Sequence, residues 1–117
     1  MVIAVPFNLE SDIVNQHYGK SEYLVIYRIE DKKIQSKEII KIDLDGEKSI
    51  AHFCKDIGVD TLIIDHCGPN ALASIEENKL KLICGINIDI DEAVDLYLKG
   101  KLKSNMERFN DHKHDHH

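Results

Sequence analysis

The chain has 117 residues, 43% of them apolar and 31% charged, with a formal charge of −6. That length suits one compact domain with one hydrophobic core, and its richness in Ile, Leu and Val excludes an intrinsically disordered polymer. The acidic balance argues against a protein that grips phosphate backbones, and no apolar run approaches the ~20 residues of a bilayer span.

"VIAVPF" (2–7) reads as a buried strand that leaves the sheet at Pro6. The polar stretch "NLESDIVNQHYGKS" that follows is long for a connection in a compact domain, and loops of that kind are often functional. "EYLVIYRIE" (22–30) and "KKIQSKEIIKIDL" (32–44) are rich in β-branched and aromatic residues and are separated by a short link, which predicts a hairpin with Ile34, Ile40 and Ile42 alternating on one face. Over 47–57 the period changes: Ile50, Phe53, Cys54 and Ile57 fall on one helical face, and Gly58 supplies the stop.

Strand and helix then alternate: strand 60–65, helix Pro69 to Glu77, strand 80–84, helix 90–99. In the last helix Asp89 and Glu92 form a capping pair, with Ala93, Val94, Tyr97 and Leu98 on the inner face. Alternation of this kind argues for parallel strands with crossover helices, so the expected fold is α/β: a mixed sheet with an antiparallel N-terminal part and a β-α-β C-terminal part. Residues 1–103 form the expected domain; 104–117 is read as a His-rich tail.

"DHCGPNAL" (65–72) carries the chemistry. Pro69 suits the first helical position, so Cys67 and Gly68 stand at a helix N-terminus, where unsatisfied N–H groups and the dipole favour an anion, a thiolate included. Asp65 and His66 lie where a parallel strand hands over to a helix, the usual ligand crevice of open α/β sheets. Two readings stand side by side: Cys67 as a small capping residue beside a solvated His66, or both as metal ligands.

Cys84, at the end of the next parallel strand, is either a buried apolar-type residue or a further soft ligand next to Cys67. Cys54 falls on the apolar helix face and His52 away from it. None of the three cysteines forms a CxxC pair, and the N-terminus lacks the blocks of a secretory leader, so free thiols and a cytoplasmic location are expected. His17, in the first loop, joins His66 and Cys67 if strand 2–7 lies beside strand 60–65. In the tail, His112, His114, His116 and His117 are spaced closely enough to bind a borderline divalent ion; the interruptions by Lys113 and Asp115 favour a native tail over an engineered tag.

Taken in order, "VIAVPF", "HYGKSEYLVIY", "IGVDTLIIDHCGPNAL" and "IDEAVDLYLKGKL" resemble the dinitrogenase iron-molybdenum cofactor biosynthesis family, of the kind seen in NifX, NafY and the C-terminal part of NifB. The resemblance spans roughly 1–103 and implies a ribonuclease-H-like three-layer fold, a mixed five-stranded sheet of three antiparallel strands followed by two β-α units, in agreement with the element order read above. It also implies a non-catalytic nitrogenase accessory module that binds or carries an iron-sulfur or iron-molybdenum-type cluster, working with cofactor-assembly proteins. His17 matches the family's His-aromatic-Gly element, and Gly68 and Asn70 match its Gly-Pro helix start. The chain departs from the family at His66 and Cys67, where small residues are usual, which either adds ligands or marks a different cargo.

Two other functions compete. One is a metal-ion reservoir or protein-interaction module acting through the tail. The other is a two-metal nuclease, which needs several converging carboxylates, whereas "VIAVPF" supplies none.

Overall fold

The computed structural model describes residues 1–9, 13–14, 18, 21–44 and 49–104. In chain order the elements are β1 (Val2–Phe7), β2 (Tyr23–Glu30), β3 (Lys33–Lys41), α1 (Ile50–Asp56), β4 (Thr61–Ile63), α2 (Pro69–Glu77), β5 (Lys81–Ile83) and α3 (Ile90–Leu98). They build one five-stranded sheet in the order β3-β2-β1-β4-β5. β2 pairs antiparallel with both β1 and β3, while β1, β4 and β5 run parallel. The expected mixed sheet is therefore present.

β1 continues through Pro6 to Phe7, one residue past the expected end. Its parallel pairing with β4 covers only Ile3 and Ala4, so the proline, which has no N–H to donate, sits where the β4 side has already opened. β2 and β3 are joined by two residues, Asp31 and Lys32, both left-handed with φ of 53° and 63°. Positive φ at both central positions is the pattern of a type I′ hairpin turn, normally filled by Asn and Gly. An L-residue with a bulky side chain costs about 1–2 kcal/mol in that conformation.

The hairpin also contains a register shift at Arg28/Ile29, so that Arg28 faces Ser36 but Ile29 faces Ile34. The extra residue moves Ile34 to the opposite face from Ile40, which pairs with Leu24. Ile34, expected on the same face as Ile40 and Ile42, is consequently exposed on this edge strand.

Apolar side chains fill both faces of the sheet. On one, Ala4, Leu24, Ile26, Leu62 and Ile64 meet Ile50, Ala51 and Cys54 of α1 and Ile75 of α2; on the other, Ile3, Val5, Val25, Tyr27 and Ile63 meet Ile90, Ala93 and Val94 of α3. Each helix starts and stops where local chemistry dictates. Ser49 caps α1 by accepting from the His52 amide at 3.1 Å, and Asp89 caps α3 by accepting from Glu92 at 3.2 Å. Gly58 ends the α1 turn at φ +89°, a conformation other residues rarely adopt.

The chain then doubles back after α3. Leu102 packs against the α3-side core, and the Ser104 hydroxyl accepts the Cys84 amide at 3.1 Å, bringing this segment to the end of β5.

Candidate functional site

Three connections meet at the C-terminal ends of the parallel strands. The Tyr18 amide donates to the His66 carbonyl at 3.3 Å, and the Val14 amide to the Ile88 carbonyl at 3.0 Å. The first loop thus touches both the β4–α2 connection and the β5–α3 connection, over the sheet end expected for it. Strand pairing persists beyond the formal limits of β4: the Ile64 amide donates to Ile83, and Gly85 donates to the Asp65 carbonyl at 2.8 Å. Gly85 adopts φ +77°, which lets the chain turn immediately after Cys84.

Asp65 is fully buried, and its Oδ1 lies 3.3 Å from His66 Nδ1, which fixes the imidazole at the rim with its side chain 25% exposed. Cys67 comes next, half-buried against the core on the α1 and α2 side, and Cys84 is buried in that same core. Burial pushes the Cys67 thiol up to about 11, and repulsion from the neighbouring Cys84 adds to the rise. The expectation of a thiolate favoured by the helix end is therefore corrected: desolvation outweighs the dipole, and near neutral pH the sulfur keeps its proton.

Nor is Cys67 the cap. That position belongs to Gly68, which has ordinary extended backbone at φ −80° and offers no side-chain acceptor; α2 also carries no acidic residue in its first turn. A Cβ at Gly68 would meet no atom within 4 Å. Among the described residues no side chain caps the first N–H groups of α2, beginning at Asn70, which leaves them open to an external acceptor. Beside them a hollow of about 270 Å³ is lined by Tyr18, Ser49, Asn70, Ala71 and Ser74, among others.

Tyr18 is the residue that spacing alone did not single out, although it sits beside His17 in the sequence. It is 3% exposed, and its hydroxyl is buried without a hydrogen-bond partner among the described residues. Burial raises its pKa first, and the nearby Cys54 and Cys67 raise it further. A large aromatic in a polar loop was the available clue. A buried hydroxyl without a partner costs about 1–3 kcal/mol, so Tyr18→Phe is expected to stabilise the metal-free protein by about 1 kcal/mol in urea unfolding. Lower stability in the variant would show that the hydroxyl has an acceptor.

The structure brings His66, Cys67, Gly68, Asn70 and Cys84 to one end of the sheet. Among the described residues, however, no three His, Cys, Asp or Glu side chains form a group that could hold a metal ion. His17, His112, His114, His116 and His117 lie outside the described residues. Cys54 is buried in the core, as expected, with its thiol pushed up to about 12 by desolvation. His52 is exposed, 3.5 Å from Asp56. No helix among the described residues is long and apolar enough to cross a membrane.

Comparison with known proteins agrees with this architecture. The model of a family described as dinitrogenase iron-molybdenum cofactor matches residues 1–100. An uncharacterized protein of Methanocaldococcus jannaschii is 29% identical over 108 residues, covering 88% of this chain and 90% of the relative. The crystal structure of PH0822 superimposes with a TM-score of 0.81 at 23% identity, covering 92% of this chain and 97% of that one. The apo form of the orange protein from Desulfovibrio gigas superimposes with a TM-score of 0.73 at 16% identity, covering 89% and 92%. At these identities the two structural likenesses speak for the fold alone.

Proposed function

Since the chain belongs to the dinitrogenase iron-molybdenum cofactor family, we propose that it is a non-catalytic accessory protein that carries an iron-sulfur or iron-molybdenum-type cluster as cargo. The proposed seat is the sheet end at which β4 and β5 finish. Cys67 and His66 serve as ligands there, Cys84 as a further sulfur, and the uncapped start of α2 at Gly68 and Asn70 accepts the cargo's negative charge. His17 is proposed as an additional ligand because it immediately precedes Tyr18, whose amide is bonded to His66.

The observation that carries the reading is the pair of neighbouring thiols beneath an uncapped helix start. Two soft donors and a set of N–H groups suit an anionic, thiophilic cargo. They do not amount to the closed four-ligand set of a structural metal, which favours a cluster that is received and passed on to cofactor-assembly partners. The ribonuclease-H-like class is proposed for the fold on the strand order β3-β2-β1-β4-β5 with helices on both faces. A non-enzymatic role is supported by the composition of β1, which has no carboxylate to join Asp65. The cytoplasm is the proposed location.

Anaerobic reconstitution with iron and sulfide tests the site. The full chain is expected to develop a charge-transfer absorption that falls at least tenfold in Cys67→Ala/Cys84→Ala. It should also fall in Gly68→Asp, which caps α2 and sets a negative charge where the cargo would lie. Equal spectra for all three proteins would defeat the proposed seat. Loss of the absorption on removing residues 111–117 alone would move metal binding to the tail.

A further inference from the structure

The opposite end of the sheet holds a hollow of about 740 Å³ between the β2–β3 turn, the start of β5 and the end of α3. Sites for small organic ligands occupy roughly 300–1,000 Å³, so its size alone is suitable. Its apolar wall is Ile83, Tyr97, Leu98 and Leu102, all part of the α3-side core or packed against it. Its lysines are Lys32, Lys81 and Lys103, with a fourth, Lys99, engaged by Asp95 at 2.9 Å; the Met1 ammonium, bonded to the Ile29 carbonyl, and the carboxylates of Glu30 and Asp31 also line it. A locally cationic hollow on a chain of net charge −6 is a segregated feature of the surface.

Two details go beyond composition. Lys81 Nζ stands 5.4 Å from the centre of the Tyr97 ring, forming a corner in which a cation adjoins an aromatic face. Lys32, meanwhile, occupies the second position of the β2–β3 turn at φ 63°, where glycine would sit without strain. What lysine adds there is an ammonium group on the wall of the hollow. Strain kept at a site that a smaller residue would relieve points to a role for the side chain.

We propose that this hollow binds a small amphipathic anion. An aromatic or aliphatic body lies on Ile83, Tyr97 and Leu98, and its acid group, a carboxylate, sulfonate or phosphate, meets Lys32, Lys81 and Lys103. This site is separate from the cluster seat at the other end of the sheet and does not rest on it.

The test titrates the full chain with 8-anilino-1-naphthalenesulfonate, followed by fluorescence and by amide shifts in NMR spectra. One probe is expected to bind per chain, with shifts at Lys81, Tyr97 and Leu98. Lys32→Gly should raise Tm while weakening binding roughly fivefold, a combination that relieved strain alone would not produce. Lys81→Ala/Lys103→Ala should weaken binding about tenfold, and Lys55→Ala, on the far face, should leave it unchanged. Displacement by phenylacetate assigns the acid group to a carboxylate, and displacement by phenyl phosphate assigns it to a phosphate. Equal displacement by neutral phenylacetamide, or binding indifferent to the three lysines, would overturn the proposal.

Discussion

Between pH 9 and pH 12 the protein is expected to lose several kcal/mol of stability, well before general alkaline unfolding of an ordinary domain. Cys54 and Cys67 are pushed up to about 12 and about 11, chiefly by burial. Tyr18 and Tyr27 are raised by burial as well, and for Tyr27 the hydrogen bond its hydroxyl donates to Asp91 adds to the effect. Each of these acids binds its proton more tightly when folded than when unfolded. Their contribution is therefore complete below the unfolded thiol pKa near 9 and drains away as pH climbs through the folded values, at roughly 1 kcal/mol per pH unit for a fully buried thiol. Cys54, with no exposed surface, contributes its full share, and the partly exposed Cys67 contributes less. Urea unfolding at successive pH values under reducing, anaerobic conditions reads the slope, and Cys54→Ala should flatten it. A wild-type curve that is level from pH 8 to pH 11 would contradict the assignment.

Truncating Ile64 is expected to cost about 2–5 kcal/mol, the range for removing a fully buried Ile from a packed core. Ile64 lies between the helices on one face and is bonded through its backbone to both Ile83 and Ile86. It also immediately precedes Asp65. Ile64→Ala should therefore do more than lower the unfolding midpoint: amide exchange at Gly85 and Tyr18, whose partners are Asp65 and His66, should accelerate more than exchange in the β2–β3 hairpin. Uniform acceleration across the sheet would show that the cavity is absorbed globally and that the rim is not specially dependent on this side chain.

Much of the fold was legible because its determinants are local. The switch from period two in 22–44 to period 3.6 near residue 50 marks the change from hairpin to helix, and Pro69 sets the first residue of α2 as expected. Alternation of strands and helices after residue 60 was enough to point to parallel pairing. The displacement of Ile34 was not legible, because a bulge is a relation between two strands and leaves no mark in either alone. The extension of β1 through Pro6 depended likewise on how far β4 follows it.

At the candidate site, the meeting of His66, Cys67 and Cys84 followed from topology, but the protonated state of Cys67 did not. The dipole can be read from Pro69, whereas the competing desolvation depends on packing against residues distant in sequence. The lysines of the second hollow come from three separate parts of the chain and show no spacing that a one-dimensional reading could detect.

The hydrogen bond between Ser104 and the Cys84 amide holds the segment that follows α3 beside the two sulfurs and not at the far end, where α3 finishes. A disturbance at the end of β5 is thus passed through one hydrogen bond to the segment whose Leu102 closes the α3-side core.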